Sequence, residues 1–286
     1  MRSNVHQYDL IAPATLNAVL QTLADQSGQY TPIAGGTELM VALGAGRLGP
    51  KNLLSINHLK ELRFIEVTPD TVTIGSGTTF SDIRRHAALT AALPLLAQAA
   101  SWTGSIANQN RGTLGGNIVN ASPAADSPPA LLAYEAELTL ISATGSRTMP
   151  YADFHLGYKR TALRPDELLQ SIKINRNFES YIHYTRKVGT RNAQAISKVA
   201  IAALALMCDG LITDLRIGAA SLRDRPSRLT ATEQVLIGNP ITPYSIAAAR
   251  AALLTEAQPI DDIRSTAKYR AAVAGNLLEE FLHTLG

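Results

Sequence analysis

Two glycine-bearing segments hold the residue types that could do chemistry in this chain: Gly35-Gly36-Thr37-Glu38, and residues 111–126, which read RGTLGGNIVNASPAAD. Glycine lets a backbone approach a ligand closely and adopt positive φ. Thr37 and Thr113 place a hydroxyl beside each pair, Asn117 and Asn120 add amides, and successive N–H groups can form an anion-holding nest. Two such loops converging on one pyrophosphate would supply many donors without a basic cluster, which indicates a phosphorylated cofactor. Asp126 follows Gly116 closely enough to reach a ribose or another donor on the same ligand. Each residue also has a structural alternative. The glycines could be tight turns, Asp126 could cap a helix beginning near Pro128, and the two asparagines could satisfy local backbone.

Other chemistries find little support. His6, His58, His86, His155, His183 and His283 have no ligand spacing such as HxxxH, so no metal site is expected. No GxSxG elbow or Cys/His pair suggests a nucleophile, and no catalytic residue is assigned. Lys187 and Lys198 lie in YTRKVGTRNAQAISKV, which by composition reads as a solvated strand and loop. Residues 44–49, GAGRLG, have the spacing of a dinucleotide fingerprint. That fingerprint needs a preceding strand and a following helix; Pro50 and Lys51 follow instead, and a surface loop is expected.

The elements that must position these residues can be read from hydrophobic spacing. Leu16, Val19, Leu20 and Leu23 predict a helix over 16–24 with Thr15 as its cap. Residues 29–34 read as a strand feeding the first glycine loop, residues 39–43 as a helical turn, and residues 52–56 as a strand. FIEV, a turn and TVTIG predict a hairpin over 64–75. Ser81 is expected to cap a helix containing Ile83, and residues 93–102 form another. After the second motif come a helix over 128–133, a strand over 136–142, a loop over 149–154 and a strand over 168–174. A break falls near 170–180. Beyond it a new pattern begins at 181–187, residues 196–207 are a buried strand or helix, and residues 211–219 are a strand after the Asp209-Gly210 turn. The last stretch is helical, most clearly over 246–254 and 269–282. Strands and helices alternate without a βαβ rhythm, so the class is α+β.

Composition agrees with an ordinary globular chain of 286 residues, 46% hydrophobic and 17% charged. The net charge of +3 comes from scattered residues and leaves no nucleic-acid footprint. Cys208 is the only cysteine, so the chain can form no internal disulfide and cannot hold an iron–sulfur cluster through thiolates. The N-terminus lacks an apolar signal region, and nothing reaches the roughly 18–20 apolar residues of a membrane span. A soluble, cytoplasmic protein is expected.

Three motifs in order (residues 33–39, IAGGTEL; residues 113–126; and residues 157–169, GYKRTALRPDELL) resemble the FAD-binding medium subunit of the molybdenum hydroxylases, the family of xanthine dehydrogenase and carbon monoxide dehydrogenase. The third motif is most similar to the xanthine dehydrogenase branch. The resemblance implies a vanillyl-alcohol-oxidase-type (PCMH-like) FAD-binding domain over 1–174, in subdomains of about 1–58 and 59–174, and a C-terminal α/β domain over 175–286. It also implies that Ile33, Ala34, Gly35, Gly36, Thr37 and Glu38 hold the FAD diphosphate from one side. Thr113, Gly115, Gly116, Asn117 and Val119 would hold it from the other, with Asp126 on its polar part, Leu168 and Leu169 near the flavin, and Lys187 in contact with the flavin system.

The implied activity is that of an oxidoreductase subunit in a heterotrimer, two of which pair into a dimer of heterotrimers. Molybdopterin would sit on a large subunit and [2Fe-2S] clusters on a small one. FAD here would pass electrons to an external acceptor, and a purine or other N-heteroaromatic is the preferred substrate class. Some relatives carry an extra cluster in this subunit, which Cys208 alone could not. The alternative is a stand-alone FAD-dependent oxidase or reductase of the same fold.

Overall fold

The computed structural model describes residues 8–48, 52–191 and 194–286. Strand β1 (Asp9–Ile11) is followed by helix α1 (Leu16–Asp25), whose cap is Thr15, accepting from the Ala18 N–H at 3.2 Å. Strand β2 (Tyr30–Ile33), helix α2 (Leu39–Gly44) and strand β3 (Asn52–Ser55) complete a small parallel sheet in the order β1-β3-β2. α1 buries Val19, Leu20 and Leu23 in a core with Leu54, Leu59, Leu62 and Leu168. A helix, not a strand, precedes the GAGRLG stretch, and its Gly49 lies outside the described residues.

The second sheet begins with the expected hairpin, β4 (Ile65–Val67) and β5 (Thr71–Gly75). Five short helices follow: α3 (Phe80–Arg85), α4 (Ala87–Ala92), α5 (Pro94–Trp102), α6 (Ile106–Arg111) and α7 (Leu114–Val119). Thr79, rather than Ser81, caps α3, in a reciprocal box with Asp82. Ser81 is buried inside the helix and donates to Asn110 Oδ1. Helix α8 (Pro128–Ala133) then leads to β6 (Glu137–Ser142), β7 (Gly145–Pro150), the ribbon β8 (His155–Gly157) and β9 (Arg160–Thr161), and β10 (Leu168–Asn175). Antiparallel pairing in the order β4-β5-β10-β6-β7 covers a core of Ile74, Leu96, Leu114, Tyr134, Leu138, Phe154 and Ile172, among others.

The third sheet, β11 (Ile182–Val188), β12 (Val199–Cys208), β13 (Leu211–Ala220) and β14 (Ser227–Arg228), is antiparallel throughout. Asp209 and Gly210, both at positive φ, make the β12–β13 turn. The unbroken apolar run of β12 is a strand because both its faces are covered. Val199, Ile201, Ala203 and Ala205 face a core made with helices α9 (Thr230–Leu236), α10 (Pro243–Glu256) and α11 (Ala267–Leu282). Ala202 and Leu204, on the alternate face, join the core of the second sheet. Gly218 on β13 is needed for the same contact, since a Cβ there would lie 2.1 Å from the Pro129 carbonyl oxygen on α8.

Glu167, at the start of β10, ties the edge strand β7 into this arrangement. Its carboxylate, 5% exposed, accepts from Arg147 Nε at 2.7 Å, Arg147 Nη2 at 2.9 Å and the Arg164 N–H at 2.8 Å. The Arg147 guanidinium holds the carboxyl below its ordinary value. A depressed folded value means that the contribution is full at pH above the unfolded carboxylate value of about 4.3 and is lost below it, as pH falls through the folded value. Glu167→Gln is therefore expected to cost about 2–3 kcal/mol at neutral pH and to shrink the loss of stability on acidification below the unfolded value. Calorimetric melting from neutral pH to well below that value checks this; acid limbs that superimpose would refute it.

Candidate functional site

The three motifs meet at one place. Gly35 lies so close to the second motif that a Cβ on it would stand 1.8 Å from the Arg111 carbonyl oxygen. The Phe80 N–H donates to the Gly112 carbonyl at 3.1 Å, and an isolated bridge pairs Thr79 with Thr113. Lys159, in the third motif, closes the group: its Nζ donates to Asn120 Oδ1 at 2.7 Å and reaches Glu38 Oε1 at 3.4 Å. Its backbone N–H donates to the Ala121 carbonyl. Lys159 thus spans both glycine segments, aided by a positive φ of 55°.

The two segments are built differently. Residues 114–119 form a helical turn, so Asn117 lies on a helix and Asn120 at its end. The donors expected of this segment are used inside the protein. Leu114 N–H goes to the Thr78 carbonyl, Gly115 N–H to the Ser76 carbonyl, Gly116 N–H to Thr113 Oγ1 and Asn117 N–H to the Thr113 carbonyl. Gly115 is glycine because a Cβ would lie 2.5 Å from the Ser76 side chain. The first segment has the opposite character. No acceptor among the described residues takes the N–H groups of Gly35, Gly36, Thr37 or Glu38, and Gly36 supplies the left-handed turn at φ 73°.

What faces outward is a set of donors. Gly116 is exposed, and a Cβ on it would meet only Thr113 Oγ1, at 2.9 Å. Asn117 Oδ1 accepts from Ser127 Oγ at 2.7 Å, and no acceptor among the described residues takes its NH₂ group. Val119 beside it is 36% exposed. Free N–H groups on one side, an uncovered glycine and an amide donor on the other, and the half-buried Thr37 match a ligand rich in acceptor oxygens. A dinucleotide diphosphate such as that of FAD has that character, and the residues fit it. Ile33 ends β2, and Ala34, just beyond it, delivers the first segment.

Asp126 and Lys187 form a buried unit of their own. Lys187 Nζ contacts Asp126 Oδ2 at 2.6 Å with the side chains 8% and 10% exposed. Nζ also donates to the Trp102 carbonyl at 3.0 Å, and Ser197 Oγ donates to Asp126 Oδ1 at 2.6 Å. Burial pushes the Asp126 carboxyl upward against the pull of Lys187. Asp126 is therefore a tie between the two halves of the chain rather than a cap: Ser127 precedes α8 and makes no capping bond. Lys187 is no solvated residue either. One of its three N–H groups has no acceptor among the described residues.

Leu168 and Leu169 enter as core residues, each 4% exposed and in different cores. Their link to the site is through backbone. The bulge after Leu169 turns the Gln170 carbonyl toward the Ser76 N–H, and the Ser76 carbonyl takes the Gly115 N–H. Buried His155 supports the same turn, its Nε2 donating to the Ile118 carbonyl at 2.8 Å. Burial lowers its pKa, which keeps the ring neutral. Sequence reasoning had not singled out Lys159, Ser76, Ser127 or Ser197. Only Lys159 had a signal, its place in the third motif.

Comparisons with known proteins place this geometry. Residues 6–176 match the family described as the FAD binding domain in molybdopterin dehydrogenase, and residues 184–285 match the CO dehydrogenase flavoprotein C-terminal domain. The glyceraldehyde dehydrogenase medium chain of Sulfolobus acidocaldarius is 30% identical over 267 residues, covering 93% of this chain and 94% of the relative. The xanthine dehydrogenase FAD-binding subunit of Escherichia coli O157:H7 is 30% identical over 261 residues, 90% and 88% of the two. A solved carbon monoxide dehydrogenase from Hydrogenophaga pseudoflava superposes with a TM-score of 0.91 at 28% identity, over 96% of this chain and 95% of that one. With glycine segments that fit a dinucleotide and both domains matched in order, the chain belongs to the family of FAD-binding medium subunits of the molybdenum hydroxylases.

Proposed function

We propose that this chain is the electron-transfer subunit of a heterotrimeric molybdenum hydroxylase. It takes electrons from [2Fe-2S] centres on a small subunit and passes them to an external acceptor, while the organic substrate is hydroxylated on a large molybdopterin subunit. When bound, FAD supplies the redox chemistry, and the protein sets its position and access. The observation that supports this reading best is the first glycine segment, with its free N–H groups clasped against the second segment by Lys159. Cys208 as sole cysteine favours iron–sulfur centres on another chain.

In this reading residues 33–38 bind the diphosphate from one side, and Gly116, Asn117 and Val119 from the other. Thr113 and Gly115 shape the turn, and Leu168 and Leu169 back it from β10. Lys187 offers its remaining N–H to the flavin and Asp126 holds Lys187 in place. The division into an FAD-binding part to about 174 and a C-terminal part from 175, with the first part split near 58, belongs to the same proposal. Three cores support it, with Leu59, Leu62 and Leu168 reaching into the first and Ala202 and Leu204 into the second. A cytoplasmic dimer of heterotrimers completes it; among the described residues no helix is long and apolar enough to cross a membrane.

Gly116→Val tests the cradle. The exposed helical position accepts the side chain, so melting is expected to fall by only a few degrees, from a disturbed Thr113 cap that valine's better helix propensity partly offsets. FAD affinity is expected to fall at least tenfold, read by flavin absorbance and fluorescence after reconstitution. Full flavin retention in the variant, or a wild-type chain that takes up no FAD, would overturn the reading.

A further inference from the structure

A second concave site, an open cleft of about 360 Å³, lies where α3 meets the start of β4, walled by Arg63, Phe64, Ile65, Asp82, Arg85 and His86. No residue of the glycine segments lines it. Its place follows from the local sequence. Thr79 caps α3, so Asp82 and Arg85, three positions apart, share one side of that helix. His86 ends α3 and begins α4. Thr78, also in the wall, fixes β4 against this end of α3: its Oγ1 donates to the Phe64 carbonyl at 2.9 Å, and its own carbonyl takes the Leu114 N–H.

The one carboxylate in the wall is already engaged on both oxygens. Arg63 Nε donates to Asp82 Oδ2 at 2.9 Å, Arg63 Nη2 to Asp82 Oδ1 at 3.0 Å, and the Thr79 N–H to Asp82 Oδ2 at 3.0 Å. That fork holds the Arg63 guanidinium in place, 54% exposed, with Nη1 as an open donor. Arg85 is exposed and its guanidinium has no partner among the described residues, so the charge matched between Arg63 and Asp82 leaves one cation over. His86 Nδ1 accepts the Leu89 N–H at 3.1 Å. A nitrogen that accepts carries no hydrogen, so the ring proton is on Nε2, which has no acceptor among the described residues. Open donors on three side chains suit an anion with three terminal oxygens better than a carboxylate with two, and the guanidinium is a preferred partner of phosphate. Half-buried Phe64 and Ile65 add an apolar surface beside them.

We propose that this cleft binds a small organic phosphate monoester, its phosphate accepting from Arg63, Arg85 and His86 and its apolar body lying on Phe64 and Ile65. The test is calorimetric titration of the FAD-loaded full chain with phenyl phosphate in a phosphate-free buffer of low salt, with phenol as the probe lacking the phosphate. One phenyl phosphate per chain is expected, and phenol is expected to bind at least tenfold more weakly. Arg85→Gln removes a cation that holds nothing else in the fold, and His86→Asn keeps a capping oxygen for the Leu89 N–H while removing the imidazole. Each is expected to weaken phenyl phosphate at least fivefold, with the flavin spectrum and FAD content unchanged. Lys268→Gln, an exposed cation on α11, removes the same charge far along the chain and is expected to leave binding as it was. Absence of phenyl phosphate binding, equal binding of phenol, unchanged binding in both cleft variants, an equal loss in Lys268→Gln, or displacement of FAD by phenyl phosphate would each overturn the proposal. FAD content, measured before titration, separates these outcomes from failure of the flavin reading.

Discussion

Gly35→Ala is expected to damage the protein more than Gly116→Val does, although both replace a glycine of the same cradle. At Gly35 the missing Cβ is filled by protein: Arg111 O at 1.8 Å, Arg111 C at 2.5 Å and Gly112 N at 3.0 Å from where it would sit. These are backbone atoms and cannot swing aside as a side chain does, so the two segments must part by more than an ångström. Overpacking of that kind costs about 2–3 kcal/mol, or about 5–10 °C in melting temperature for a chain of this size. Separation also pulls Glu38 and Asn120 off Lys159, which spans them at 3.4 and 2.7 Å. FAD affinity and apo-protein stability should therefore fall together in Gly35→Ala. In Gly116→Val affinity should fall with stability nearly intact. Thermal melting of the apo forms and FAD titration of both variants check the contrast. Equal stability of the two apo variants would show that the segments are not in contact as described.

That contrast also shows what a sequence can and cannot disclose at such a site. Gly35-Gly36 and Gly115-Gly116 look alike, and both suggest backbone approach to a ligand. In the fold Gly35 and Gly115 are glycines because Arg111 and Ser76 press against them, Gly36 because of its positive φ, and only Gly116 stands open to solvent. Packing of distant segments decides this, and no local pattern encodes it. Elements with strong local signals were legible: α1 with its Thr15 cap, the β4–β5 hairpin, the Asp209-Gly210 turn and the two C-terminal helices. The helical turn over 114–119 was hidden, because two glycines and an asparagine weaken helix propensity, and tertiary bonds from Ser76 and Thr78 supply what propensity does not. The run 196–207 could not be assigned locally, because covering both faces of β12 removes the alternation that marks a half-buried strand. Lys187 by composition read as solvated; its burial depends on Asp126, 61 positions away.

Lys187→Met is expected to give the other large effect, and to make the protein's stability depend on pH in a characteristic direction. Methionine fills similar volume but leaves the Asp126 carboxylate, 10% exposed, with Ser197 Oγ as its one remaining donor among the described residues. Removing one partner of a buried pair costs about 3–5 kcal/mol, about 10 °C or more in melting temperature. Burial already pushes the Asp126 carboxyl upward with Lys187 in place; without the ammonium only the upward influence of burial and the Ser197 bond remain. A folded value raised above the unfolded one means that stability is full at low pH and is lost as pH rises through the folded value. The variant should therefore melt higher at pH 5 than at pH 8, a trend that Asp126→Asn in the same background abolishes. That double variant should also recover part of the lost stability, since it exchanges an unpaired buried charge for a neutral amide. The tie joins Trp102 and Asp126 of the FAD-binding part to β11 of the C-terminal part, so its loss should loosen FAD as well, read as faster flavin release on dilution. A Lys187→Met protein with unchanged melting at every pH would show that the pair does not hold the halves together.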